Sequence, residues 1–251
     1  MAQGIRTRAA KWVVIGTARR LSRMACRVDD HEIHLVPTRE PLLLVANHVN
    51  FLEIPLVLSH LQPRRITGLV KSETWESRWM GMLFDLWEAI PVHRGEGDVL
   101  AIRRVLHALE EGKIVAIAPE GTRSGDGCLR RAKPGVGLLA AHTSAPILPM
   151  AFFGHEHIWS NLKRLRRTDF HIRVGPLLRV RPRGRWTAER RQALADEIML
   201  QIAALLPLEY RGVYADTRLA PPLYLEPIEP KPTSPSTAGR LLAQPGSPSV
   251  T

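Results

Sequence analysis

The sequence predicts an α/β fold: a central mixed, largely parallel sheet flanked by helices, with an N-terminal amphipathic helical segment and a disordered Pro-rich C-terminal tail. Three observations predict it. Apolar runs of strand length, PLLLVAN (residues 41–47) and KIVAIAP (113–119) among them, mark strands buried on both faces. Longer segments with helical spacing alternate with these runs, as in strand–helix–strand units. After Arg218 the chain turns to eight prolines with Ser, Thr and Gly, a composition that buries too little apolar surface to order itself. The domains expected are basic amphipathic helices over 1–30, an α/β domain over 31–217 and the tail over 218–251.

Each element has its own justification. Residues 5–28 mix apolar and basic residues without proline and read as one or two amphipathic helices, with Ile5, Ala9, Trp12, Val13 and Ile15 on the more apolar side. HEIHLV (31–36) alternates with period two and reads as a strand, followed by the buried run PLLLVAN. FLEIPLVLSHL (51–61) reads as a helix, RRITGLV (64–70) as a strand and TWESRWMGMLFDLWEA (74–89) as a second helix. Asp98 can cap VLAIRRVLHALEEG (99–112), which places Ile102, Val105, Leu106 and Leu109 on one face and ends at Gly112. KIVAIAP is the next strand, then a Gly-punctuated loop and a helix around VGLLAAH (136–142). APILPMAFF (145–153) and FHIRVGPLLRV (170–180) supply later strands. Thr187 caps a last long helix with Leu194, Ile198, Ile202 and Leu205 as its stripe.

Composition excludes several classes. The chain of 251 residues is 45% hydrophobic, which rules out a wholly disordered, collagenous or coiled-coil protein. Cys26 and Cys128 are too few for a disulfide framework or a four-thiolate zinc site. No apolar run approaches the roughly 20 residues of a membrane-spanning helix, and no secretory signal is evident. The net charge of +11 is clustered: the first thirty residues carry +5, and residues 163–191 carry eleven basic residues against Asp169 and Glu189. Such clusters point to a polyanion (nucleic acid, anionic bilayer or phosphorylated ligand) or to a solvated Arg-rich surface. No helix-turn-helix, finger or stacking-aromatic pattern accompanies the charge, so nucleic acid is not expected as a partner.

Two segments carry the chemistry. In PLLLVANHVNFLEIP (41–55) a buried strand delivers Asn47 and His48 to its carboxyl end, where α/β sheets bind ligands. Glu53 follows His48 by five residues, about 500° along an unbroken helix. The two side chains meet only if His48 lies in the loop and Glu53 in the first helical turn, with Asn50 as cap. Asn50 and Glu53 also stand at capping-box spacing, so Glu53 has a purely structural alternative. In KIVAIAPEGTRSGDG (113–127) a second strand releases Glu120, Gly121, Thr122, Arg123 and Ser124 into a loop where backbone amides and an Arg fork suit an anion. Lys133 lies just beyond. Walker, dinucleotide and nucleophile-elbow spacings are all missing, so Ser124 is not expected to act as a nucleophile. The pairs His31/His34 and His155/His157 lack a third ligand at recognisable spacing and read as structural or exposed.

These pieces cohere as a resemblance. NHVNFLE resembles the NHxxxxD motif of the glycerolipid acyltransferases, the group typified by 1-acylglycerol-3-phosphate acyltransferase. AIPVHRG (89–95) is similar to the family's second block, with Arg94 as its arginine. APEGTRS (118–124) resembles the third block, AKPG (132–135) the lysine-containing stretch after it, and APILPMAF (145–152) the fourth. The blocks fall in family order. Two positions depart from the pattern: Glu53 stands where the family has Asp, and His93 precedes Arg94 where an acidic residue is more frequent.

The resemblance implies an O-acyltransferase that moves an acyl chain from a thioester, acyl-CoA or acyl-carrier protein, to a lysophospholipid hydroxyl without an acyl-enzyme. His48 would be the general base and Glu53 its orienting acid. Arg94, Glu120, Gly121, Thr122, Arg123 and Lys133 would bind the acceptor. No metal and no cofactor is expected beyond the thioester co-substrate. The helix around TWESRWMGMLFDLWEAI is either one wall of an acyl tunnel or plain core. The basic N-terminal segment either lies in the headgroups of an anionic membrane surface or docks on the core. The expected location is peripheral, at the cytoplasmic face of the cell membrane.

Overall fold

The computed structural model describes residues 2–38, 41–93, 99–216 and 222–228. In chain order the elements are α1 (Ala2–Ala25), β1 (Cys26–Asp29), β2 (Leu42–Ala46), α2 (Glu53–His60), β3 (Ile66–Lys71), α3 (Arg78–Leu86), β4 (Ile90–Val92), α4 (Val99–Glu110) and β5 (Ile114–Ile117). They continue as α5 (Pro134–His142), β6 (Ile147–Phe153), α6 (Ile158–Lys163), β7 (Thr168–Val174), β8 (Leu178–Val180), α7 (Ala188–Leu205) and β9 (Leu225–Pro227).

The strands form one mixed sheet in the order β1-β7-β6-β2-β5-β3-β4, with β8 on β6 and β9 on β8. β2 is parallel to both β5 and β6, β3 is parallel to β5 and β4, and β1 is parallel to β7. Only β6–β7, β6–β8 and β8–β9 are antiparallel among the described pairs. Successive side chains of a strand point to opposite faces, and β2 shows what that does here. Leu43 and Val45 join a core layer with Val105 of α4, Val136 of α5 and Ile198 of α7. Leu42, Leu44 and Ala46 join a second layer with Ile15 of α1 and Leu56 of α2. Both faces are therefore covered, which is why β2 reads as an unbroken apolar run. Each fully buried Leu contributes roughly 1.5–3 kcal/mol.

Four expectations are amended. The helical reading of residues 5–28 runs too far: α1 stops at Ala25, and Cys26–Asp29 is a strand on β7 whose Arg27 pairs with Asp169 at 2.6 Å. The sheet thus begins before residue 31. HEIHLV is not a strand; Ile33–Leu35 is a 3-10 turn held by Asp30 and Glu32 carbonyls, since six residues of alternation fit either shape. The long helix over 74–89 is broken. A 3-10 turn covers Ser72–Glu76, and Ser77, whose Oγ accepts from Met80 N, begins α3. Finally, Leu225–Pro227 pairs with β8 and buries Leu225, so residues 222–228 of the expected tail belong to the fold. Residues 229–251 and the Asp98 cap lie outside the described residues. The Thr187 cap is present, its Oγ1 accepting from Arg190 N.

Candidate active site

β2 and β5 are adjacent parallel strands, so the two motif loops leave the sheet side by side at its carboxyl end. Their backbones are joined: Ser124 N donates to His48 O at 2.8 Å, and Gly125 N to Val49 O at 3.0 Å. Asn47 closes the other side. Its side-chain amide exchanges two bonds with the Phe152 backbone, Nδ2 to O at 2.7 Å and Oδ1 from N at 2.8 Å, in the manner of a strand partner. The loop bearing His48 is therefore tied to both neighbouring strands.

His48 Nδ1 lies 2.6 Å from Glu53 Oε2. A carboxylate only accepts, so Nδ1–H donates and Nε2 is left as the basic nitrogen. Among the described residues Nε2 bonds to nothing, and the side chain is about one quarter exposed. Glu53 meets the geometric condition set by its spacing, since it is the first residue of α2. Its other oxygen does not cap the helix: Oε1 accepts from Val49 N at 2.7 Å and Asn50 N at 2.9 Å in the preceding loop, whereas the N-cap of α2 is Leu52, without a side-chain cap bond. The expected Asn50 cap is therefore not formed, because the helix starts two residues later than the capping-box spacing requires. Burial pushes the Glu53 carboxyl up, but hydrogen bonds from His155 and His48 outweigh it and hold it below the usual carboxylate value.

His155 is the residue that sequence reasoning missed. Its Nε2 lies 2.6 Å from Glu53 Oε1, and its ring is 0% exposed. Gly154 makes this possible: its φ is +90°, and a Cβ there would meet Asp169 O at 2.7 Å. No sequence spacing links residues 53 and 155.

Glu120 is placed differently from expectation. It is buried, with Oε1 accepting from His48 N at 3.2 Å and Oε2 from Arg130 N at 2.8 Å. Both oxygens are thus committed to backbone and not turned toward an acceptor. Burial pushes its carboxyl up to about 7, against the pull of those two N–H groups. Gly121, Thr122, Arg123 and Lys133 are exposed beside it. Arg123 and Lys133 form no ion pair among the described residues. Arg94 lies outside the described residues. No three His, Cys, Asp or Glu side chains among the described residues converge to hold a metal ion.

An apolar cavity of about 140 Å³ opens beside the pair, lined by His48, Glu53, Leu44, Gly68, Phe84 and Trp87 among others. Phe84 and Trp87 come from α3 and the turn after it, the segment considered as a tunnel wall. Leu44 and Phe152 close the sheet side.

A family model described as Acyltransferase matches residues 27–153, half of the chain and both motif loops. The chain belongs to the glycerolipid acyltransferase family. The chain is 28% identical over 120 residues to the 1-acyl-sn-glycerol-3-phosphate acyltransferase of Bacillus subtilis, covering 47% of this chain and 59% of that one. It is 31% identical over 146 residues to the lyso-ornithine lipid O-acyltransferase of Pseudomonas aeruginosa, covering 52% and 55%. It thus spans about half the length of these curated relatives. The crystal structure of the 1-acyl-sn-glycerophosphate acyltransferase of Thermotoga maritima superposes with a TM-score of 0.60 at 20% identity, covering 83% of each chain. That likeness shows that the chain shares its fold.

Proposed function

We propose that this chain transfers a fatty acyl group from acyl-CoA or acyl-carrier protein to the free hydroxyl of a lysophospholipid, with 1-acylglycerol 3-phosphate as acceptor and phosphatidic acid as product. The observation that carries the reading is the His48–Glu53 pair at 2.6 Å, set at the mouth of an apolar cavity and beside a loop with unpaired cations. His48 Nε2 takes the proton of the acceptor hydroxyl as its oxygen bonds to the thioester carbonyl carbon. Glu53 stabilises the imidazolium that results, as the acid does in a Ser-His-Asp triad. The tetrahedral intermediate then collapses: the C–S bond breaks, the ester carbonyl re-forms, and the leaving thiolate receives the proton from His48. No side chain of the protein is acylated. Arg123, Lys133 and, from the sequence pattern, Arg94 hold the acceptor phosphate, while the apolar cavity takes the acyl chain.

The bilayer is the source of the acceptor in this reading. α1 buries Ile15 against α2 and leaves Trp12, Val13, Leu21 and Met24 exposed among Arg19, Arg20 and Arg23. The end of α1 meets the turn after α6 through Arg167, which donates to Arg23 O and Cys26 O. α6 and that turn expose Trp159, Leu162 and Leu165 beside Lys163, Arg164 and Arg166, with Leu165 95% exposed at φ +53°. β1 and β7 begin together, so the last turn of α1, with Leu21 and Met24, and the turn after α6 lie at the end of the sheet that carries His48, while Trp12 and Val13 stand farther back along α1. A basic, apolar surface there suits peripheral contact with anionic lipid. Among the described residues no helix is long and apolar enough to cross a membrane.

A second acceptor, a lyso-aminolipid, is favoured by one specific observation, the 31% identity with the lyso-ornithine lipid O-acyltransferase. Purified protein incubated with a panel of lysolipids and acyl thioesters, with mass spectrometry of the products, separates the two. Diacyl phosphatidic acid is the expected product. The His48→Ala variant is expected to lose about 10²–10⁴ in turnover while still binding lysophosphatidate in vesicles. Wild-type turnover by that variant, or no acyl transfer to any lysolipid by wild type, overturns the proposal.

A further inference from the structure

The carboxylate of Glu53 accepts four hydrogen bonds, and they are divided unequally. Among the described residues Oε2 has a single donor, His48 Nδ1 at 2.6 Å. Oε1 has three: Val49 N at 2.7 Å, Asn50 N at 2.9 Å and His155 Nε2 at 2.6 Å. The two backbone donors come from the same loop as His48 and move with it. His155 comes from beyond β6, 102 residues away in sequence. It is the one donor that ties this carboxylate to a separate part of the sheet.

His155 is held both at its ring and at its backbone. Its edge packs on Phe170, with ring centroids 4.4 Å apart and planes at 70°. Its carbonyl accepts from Asn50 Nδ2 at 3.0 Å and Ile158 N at 3.2 Å. Nδ1 has no partner among the described residues, so the ring bonds through Nε2 alone, and toward a carboxylate that nitrogen is the donor. A buried polar ring that spends its only side-chain hydrogen bond on the acid behind a general base is placed for that acid.

We propose that His155 is a positioning residue of the acyl-transfer site: it clamps Oε1 of Glu53 so that Oε2 is presented to His48 and the imidazole is held with Nε2 toward the acceptor. The proposal rests on the acyl-transfer reading for its kinetic consequence but not for its geometry. It also accounts for the departure from the family pattern at position 53. Glutamate has one more rotatable bond than aspartate and reaches one methylene farther from its helix. A third donor on Oε1, held outside the loop, removes the freedom that this extra bond introduces.

The test compares His155→Phe, which keeps a planar ring against Phe170 but no donor, with His155→Gln, whose amide N–H stands near the place of Nε2. Initial rates with lysophosphatidate and an acyl-CoA give kcat and KM. A misplacement of order 1 Å in such a site costs about 10²-fold. His155→Phe is therefore expected to lower kcat by about 10- to 100-fold with KM little changed, and His155→Gln to recover most of it. Wild-type kcat in His155→Phe, equal impairment of both variants, or a loss confined to KM overturns the proposal. If His155→Phe does not fold, the comparison passes to His155→Gln against His155→Asn, whose amide is too short to reach Oε1. Gln well above Asn is expected, and equality overturns.

A second readout needs no turnover. In protein labelled with 15N-histidine, the His48 Nδ1–H proton is expected far downfield in wild type and His155→Gln, and displaced or lost in His155→Phe. An unchanged resonance in His155→Phe overturns the clamp. A resonance that depends on His155 in a protein that acylates no lysolipid overturns the acyl-transfer reading and leaves the clamp standing.

Discussion

Glu53 and Glu120 grip the same residue from two sides, Glu53 through the His48 ring and Glu120 through the His48 backbone N–H, and their carboxyl groups are driven in opposite directions. Glu120 is pushed by burial from 4.5 to about 7. Its folded form holds a proton that the unfolded chain releases near 4.5, so its contribution to stability falls as pH rises through that window. At 1.36 kcal/mol per unit, the loss is of order 3 kcal/mol. Glu53 acts below the window: its lowered value contributes stability above 4.5 that is lost as pH falls further. Urea midpoints for wild type are therefore expected to drop between pH 5 and pH 8 more than those of Glu120→Gln. Parallel pH dependence of the two proteins would contradict the assignment.

The Glu53→Gln variant separates charge from the bonds that Glu53 makes to its preceding loop. Glutamine can keep an oxygen on Val49 N and Asn50 N, but it carries no charge to support the imidazolium. We expect turnover to fall by about 10²–10⁴-fold in samples whose folded fraction equals wild type. Glu53→Asp keeps the charge yet withdraws the carboxylate by one methylene from both His48 and His155. Its turnover is expected between those of wild type and Glu53→Gln. Wild-type rates in Glu53→Gln would leave His48 without its partner.

Asn47 is expected to matter for the sheet before it matters for chemistry. Asn47→Ala leaves the buried Phe152 N–H and C=O without the amide that satisfies them. Each such loss costs about 1–3 kcal/mol, so a drop of about 2–6 kcal/mol in denaturant stability is expected. A variant of wild-type stability would show that the β2–β6 end is held by other contacts.

Membrane contact through α1 is best tested by substitution, because deleting the first 28 residues would also remove part of β1 and the buried Ile15. Trp12→Glu with Val13→Glu alters two exposed side chains, at 57% and 67% exposure, and no core contact. Flotation with vesicles containing phosphatidylglycerol is expected to fall severalfold at moderate salt, with the thermal unfolding temperature unchanged. Equal flotation would remove α1 from the membrane surface.

The elements that hold the site were legible where both faces of a strand are buried. β2, β5 and β6 are continuous apolar runs because core layers cover them on each side. Legibility failed at the periphery. β1 carries Arg27 and Asp29 on an edge and continues the apolar–basic mixture of α1 without a break. β9 sits among prolines, and its place depends on β8 and on the Glu197 carboxylate that accepts from Tyr224 N and Leu225 N. Within the site, the His48–Glu53 contact could be tested against helix geometry because five residues separate the pair. His155 could not, since its partner is 102 residues away, and Glu120 resembled a ligand residue until both its oxygens were found on backbone N–H groups.

The backbone bonds between the His48 loop and the Ser124 loop bear on how this site can be redesigned. Ser124 N and Gly125 N fasten one motif to carbonyls of the other, so each motif owes its shape to a segment more than seventy residues distant. Grafting either stretch alone into a foreign scaffold would transplant the letters and leave the curvature behind. Side chains at 122, 123 and 133 project from this welded frame without joining it. On the proposed reading they are the positions at which acceptor preference can be rewritten while the frame stays intact.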